Sequence, residues 1–235
     1  MVDPAAALSP PGMLAAAWIV ARKDLAIEFR TRTAFLSAVV FALLGVTIFY
    51  FAWDATAVAA ADLAPGVLCV IFTFAGLLGL QRSFGSELAD RAIDGLLGAP
   101  ISREAIYLGK ALANLVFVSG ILAVTIPAVV LFYNLQLGGA VLALAGIALL
   151  AAIGLVAVGT LFSAMAVNTR MAELLLPMLS LPFFVPFVMA AAQSSARLMA
   201  GRPIAEAWPW LRILVAFDIV FVTACTLAFP FTLDE

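Results

Sequence analysis

The chain is 235 residues long, 66% hydrophobic and only 11% charged, with a formal net charge of −2 and a mean hydropathy of +1.18. Soluble domains are about 45–50% apolar and about 25% charged, so lipid is the solvent for most of this chain and no sizeable soluble domain fits in the remainder. The charge balance offers no basic face for nucleic acid, and the complete lack of histidine excludes imidazole ligation of a metal and His-based acid–base chemistry.

Residues 1–12 hold three prolines and no basic residue. They read as a disordered tail, not as a cleaved signal peptide. Residues 13–235 then form one membrane domain. Its first segment, 13–33, places Leu14, Trp18, Ala21, Leu25 and Phe29 at spacings of three and four among Arg22, Lys23, Asp24, Glu28 and Arg30. This pattern predicts an amphipathic helix lying in the membrane interface.

Six apolar runs follow, at 34–53, 63–80, 106–133, 140–165, 171–192 and 208–230. Each is near the ~20 helical residues that cover a hydrocarbon core of ~30 Å. The expected fold is therefore an all-α membrane protein with six transmembrane helices. An even number of spans leaves both termini on one side. With that side cytoplasmic, nine of the twelve Lys and Arg residues lie inside and three, Arg197, Arg202 and Arg212, lie outside. The positive-inside rule selects this orientation.

Between the second and third spans, residues 81–105 form the longest polar interruption. Eight charges lie between Arg82 and Lys110. A short helix is expected at 84–97, with Glu87, Asp90, Arg91 and Asp94 within one arc of ~100° and Phe84, Leu88, Ala92 and Leu96 on the neighbouring arc. Glu87 precedes Arg91 by four, the favourable order for an exposed pair. Gly98-Ala99-Pro100 should stop this helix, and Ser102 should cap the next. A charge run of this kind is either a merely solvated face or a docking handle.

In the fourth run, Gly146, Gly154 and Gly159 allow close helix approach. The fifth run contains Pro177, Pro182 and Pro186, each of which removes a backbone donor. The run is expected to kink against protein neighbours, as either a moving part or a fixed bend. Outside the fifth span, 193–207 reads as a loop, with Trp208 and Trp210 marking the interface where the sixth begins. Asp218 sits near the middle of that span, where a carboxylate is costly and needs a reason; Asn114 and Ser119 are possible partners. Cys69 and Cys225 fall inside apolar runs and read as small buried residues. Gly109-Lys110 lacks the rest of a P-loop, so any nucleotide chemistry belongs to another polypeptide.

The polar insert carries a family resemblance. Glu87-Leu-Ala-Asp-Arg91-Ala-Ile-Asp-Gly95-Leu-Leu-Gly-Ala-Pro100-Ile-Ser-Arg103, then Tyr107-Leu-Gly-Lys110, resembles the corresponding stretch of ABC-2-type transporter permeases. Within that group, Arg22 to Arg32, Ala75 to Phe84, Leu174 to Pro186 and Phe229 to Glu235 resemble the haem exporter protein B (CcmB) family. The resemblance runs from about residue 16 to the C-terminus.

It implies a non-catalytic permease subunit of the cytochrome c maturation system in the bacterial inner membrane. The implied partners are an ABC ATPase subunit, expected as a dimer, that binds the ATP; a second multi-span haem-handling subunit with a small helper; and a periplasmic haem chaperone. Haem is then a cargo of the complex, with no cofactor or metal held by this chain. Glu87, Asp90, Arg91, Asp94 and Arg103 become the expected ATPase-coupling residues, on a cytoplasmic coupling helix. An ABC-2 permease for another cargo, such as a drug, lipid or polysaccharide, fits the same insert.

Overall fold

The computed structural model describes residues 12–89, 100–166 and 172–232, with side chains for 12–81, 100–166 and 182–232. The expected tail at 1–12 lies, but for Gly12, outside them. The described residues form seven α-helices: α1 (Met13–Thr31), α2 (Thr33–Ala52), α3 (Ala60–Ala89), α4 (Arg103–Phe132), α5 (Ala140–Ala166), α6 (Ala172–Met199) and α7 (Trp208–Thr232). A 3₁₀ turn, Ile204–Ala207, leads into the last. Among the described residues, five segments are long and apolar enough to cross a membrane: Thr33–Ala52, Ala60–Gln81, Arg103–Phe132, Ala140–Ala166 and Ile204–Thr232. The molecule is a multi-pass membrane protein.

The helices follow from the chain's need to satisfy its own backbone in lipid. Hydroxyls within them obey the same demand. Ser37, Thr47, Thr73, Thr125 and Thr226 each donate to the carbonyl four residues earlier, at 2.6–2.8 Å. Helix α5 is apolar on all sides and packs against α3, α4, α6 and α7. Helix α2 lies at one edge against α3 and α4, and α7 at the other against α5 and α6. Aromatic pairs close the α6–α7 seam, where Phe187 meets Phe217 at 5.2 Å and Phe183 meets Phe221 at 5.9 Å. An interior cavity lined by Leu68, Phe72, Leu122, Ile147, Ala151 and Ser195 measures about 10 Å³, room for a single water at most.

Three expectations change. Helix α3 does not end at residue 80; it runs unbroken to Ala89. Polarity begins at Gln81, but polarity alone does not stop a helix, and the stretch 81–89 has no proline and a single glycine worth only about 1 kcal/mol. The expected separate helix at 84–97 is thus, as far as Ala89, the end of α3; residues 90–97 lie outside the described residues. Helix α6 likewise reaches Met199, so most of the expected loop at 193–207 is helical. Gly146 has nothing within 4 Å of where a Cβ would stand, whereas Gly154 and Gly159 do seat neighbouring side chains.

The α1–α2 junction is a corner without a loop. Arg32 takes the left-handed conformation (φ 57°, ψ −5°) and caps both helices. Its side chain cannot accept from the first amides of α2, and Glu28 from α1 accepts from the Phe35 amide instead, at 2.9 Å. At the far end of α2, Asp54 accepts from the Thr56 hydroxyl and amide in a turn; these bonds hold its carboxyl below the usual carboxylate range.

Candidate functional site

Helix α4 has 30 residues, about 45 Å at 1.5 Å per residue. That exceeds a hydrocarbon core of ~30 Å, so its first turns extend beyond it, where the polar segment 81–105 joins the bundle. Ser102 caps it as expected, accepting from the Ala105 amide at 3.3 Å. Side chains of this first half are tied to three other elements, α1, α5 and α7.

The tie to α1 is steric and ionic. A Cβ on Gly109 would stand 2.6 Å from the Ala17 carbonyl oxygen and 2.6 Å from the Val20 Cβ, so only glycine admits α1 this close. Ala16, Ala17, Val20 and Ala21 form the buried face of α1, while Leu14, Trp18, Ile19 and Phe29 are exposed. The expected apolar stripe is therefore split. Small residues pack on α4, and large ones face outward, where a headgroup layer suits them. Beside Gly109, the fully buried Lys110 donates from Nζ to Asp24 Oδ2 at 3.2 Å, and Lys23 reaches Asp24 Oδ1 at 3.1 Å.

The other ties are hydrogen bonds. Arg103 donates from Nη1 to the Pro230 carbonyl at 3.0 Å, filling one of the acceptors that the last turn of α7 leaves open. The Tyr107 hydroxyl donates to the Ala157 carbonyl at 3.0 Å, and its ring packs on Phe229 at 5.4 Å. Asn114 Nδ2 donates to Thr160 Oγ1 at 3.0 Å. From α5, Ser163 donates to the Leu80 carbonyl at 2.7 Å, one residue before the polar segment opens. The two helices that deliver the segment 81–105 are thereby joined through α5.

Arg103 is the expected coupling residue whose side chain the structure describes, and it lies within this network. Glu87 falls on α3, its side chain not described; Asp90, Arg91 and Asp94 lie outside the described residues. The expected arc thus lies outside the described side chains. Pro182 and Pro186 lie on the exposed face of α6, and Pro177 is on the same helix, its side chain not described. Asp218 is 7% exposed, and neither carboxylate oxygen has a hydrogen-bond partner among the described residues. It stands against Gly154, where a Cβ would come within 2.9 Å of Oδ1. Asn114, one of its two possible partners above, bonds to Thr160. Cys69 and Cys225 are both buried and free.

The sequence reading missed the pair Asp24–Lys110 and the acceptors for Tyr107 and Ser163. A signal for the first was present. A lysine fully buried seven residues into a helix that is mostly apolar beyond Glu104 demands a carboxylate.

Comparison with known proteins agrees with this architecture. The chain is 30% identical over 200 residues to the heme exporter protein B of Rhodobacter capsulatus, covering 85% of this chain and 91% of the relative. It is 31% identical over 206 residues to that of Paracoccus denitrificans, covering 88% and 89%. The Pseudomonas aeruginosa protein of the same name is 26% identical over 211 residues, covering 84% and 88%. The family profile described as CcmB protein matches residues 15–235. An all-helical, multi-pass chain matched over nearly its whole length belongs to the CcmB family.

Proposed function

We propose that this chain is the transmembrane permease subunit of an ABC transporter complex for cytochrome c maturation. It couples ATP hydrolysis by a partner ATPase to haem export or to release of a haem-loaded periplasmic chaperone. It is non-catalytic itself, crosses the inner membrane six times with α6 as the fifth span, and has both termini in the cytoplasm. Its partners are the ATPase subunit, a second multi-span haem-handling subunit with its small helper, and the periplasmic chaperone.

The observation that carries this reading is the network at the start of α4. A handle for an external motor must transmit displacement, and a handle joined to the bundle by loose packing alone would dissipate it. Here Ser163–Leu80 on one side, and Lys110–Asp24, Tyr107–Ala157 and Arg103–Pro230 on the other, join both ends of the segment 81–105 to α1, α5 and α7. Movement of Glu87, Asp90, Arg91 and Asp94 in a groove of the ATPase then shifts these helices together. A useful transition needs a bias of only a few kcal/mol between two arrangements.

The test is co-purification with ATPase assay. Reversing Asp90 and Arg91 together should reduce ATPase association and its stimulation several-fold while the chain still inserts. Unchanged association overturns the docking assignment. Labelling of single cysteines at 84–97 in intact cells tests the orientation, since modification by an impermeant reagent would place this segment on the wrong side. Co-purification with a haem-handling subunit favours haem as cargo over a drug, lipid or polysaccharide.

A further inference from the structure

The three basic residues that contradict the charge bias gather at one corner, where α6 ends and α7 begins. The Arg197 guanidinium lies over the Trp210 ring, 5.5 Å from its centroid, and also donates to the Gln193 carbonyl and Oε1 at 2.6 and 2.9 Å. The Arg212 guanidinium lies over Trp208 at 5.6 Å. Arg202 is exposed at the intervening turn, and its contact with Glu206, at 3.5 Å between two exposed side chains, is too weak and solvated to neutralise the corner. Three positive charges thus face one negative.

What distinguishes this corner from a water-facing patch is the stripe below it. Trp208, Arg212, Val215 and Ile219 recur at spacings of four, three and four on the exposed face of α7. On a membrane-crossing helix this face meets acyl chains. Arg212 therefore stands one turn below Trp208 on a lipid-facing surface, where indoles mark the headgroup layer. An arginine there keeps its head polar by reaching the interface. Stacking on the indole holds the guanidinium flat and leaves its N–H fork for a phosphate, which it matches bidentately.

We propose that the α6–α7 corner binds the headgroup of an anionic phospholipid, with Arg212 and Arg202 on the phosphate, Arg197 as a flanking charge and the two indoles on the glycerol and upper acyl region. This site is separate from the network at the other end of the bundle and does not depend on the transport reading.

The four tryptophans, at positions 18, 53, 208 and 210, make the test direct. In a Trp18→Phe/Trp53→Phe background, only the corner indoles fluoresce. The full chain is reconstituted in phosphatidylcholine bilayers, and quenching by dibrominated phosphatidylglycerol is compared with quenching by dibrominated phosphatidylcholine at equal mole fraction. The expected result is a relative binding constant about fivefold or more in favour of phosphatidylglycerol, falling about fivefold for each of Arg202→Gln and Arg212→Gln, as for single basic residues at a charged membrane surface. The single variants guard against failure of the double variant to fold. Equal quenching by the two lipids overturns the proposal and leaves the corner as a surface for an acidic protein partner. A preference that survives both substitutions overturns the assignment to these arginines.

Discussion

Lys110 and Asp24 show how much rests on a single pair. The lysine is fully buried and the aspartate 18% exposed, so neither charge is well served by water alone. Removing one partner breaks this pair, at a cost of up to about 3–5 kcal/mol for a buried pair, less for Lys110→Met because Lys23 still reaches Asp24. Lys110→Met or Asp24→Leu alone is expected to lower the unfolding temperature in bicelles markedly. The double variant should recover much of the loss, and a double-mutant cycle would read the coupling. Asp218 presents the opposite case, because its carboxyl has no partner among the described residues. Asp218→Leu should raise the unfolding temperature of the isolated chain, since it removes an unpaired polar group; a fall would mean that the carboxyl is paired. The sequence announced Asp218 as an isolated charge in an apolar run, but Lys110 only as the last charge of the polar segment. It could not name Asp24 as the partner, because 86 positions separate the two and no local spacing encodes such a contact. For the same reason it could name only possible partners for Asp218, Asn114 and Ser119, neither of which bonds to it among the described residues.

Among the elements, close approach is settled by single glycines. Gly109→Ala would press a methyl into the Ala17 carbonyl, a backbone atom that cannot turn aside, and should cost about 1–3 kcal/mol as overpacking does. Gly146→Ala meets open space and should be neutral or gain up to about 1 kcal/mol in helix propensity. Thermal unfolding of the two variants side by side checks the contrast. At the α1–α2 corner, Arg32→Gly should relieve about 1 kcal/mol of left-handed strain, less what is lost with the exposed Arg32 Nε bond to the Phe29 carbonyl at 3.1 Å. Arg32→Ala, which keeps the strain, should show no gain. Most helices were legible from hydropathy to within one to three residues at their starts, because length and apolarity leave a lipid-embedded chain few choices. The ends of α3 and α6 were not. Both pass from apolar into polar sequence without a breaker, so the change of solvent and the end of the helix do not coincide.

At the scale of the whole molecule, the proposed coupling separates binding of a motor from transmission of its stroke. Arg103 sits inside the bundle's network, whereas Asp90 and Arg91 belong to the segment that would meet the ATPase. Arg103→Gln is therefore expected to leave ATPase association intact and lower the stimulated ATPase rate several-fold. Charge reversal at Asp90 and Arg91 should lower both. Measuring association and turnover on the same preparations separates the two effects.

Among the described residues, the named side-chain hydrogen bonds that cross between helices have an uneven distribution along the bundle. Those of Arg103, Tyr107, Lys110, Asn114 and Ser163 all fall in the half that carries the polar segment. In the other half, the Tyr133 hydroxyl and Ser194 Oγ are buried with no hydrogen-bond partner among the described residues, and rings such as Tyr50, Trp53 and Tyr133 meet by contact alone. Dispersion forces tolerate sliding, whereas directional bonds do not. On the proposed coupling, the bundle would work like tongs, riveted at the grip and compliant at the tips, so that a small push at one surface would part the helices at the opposite one.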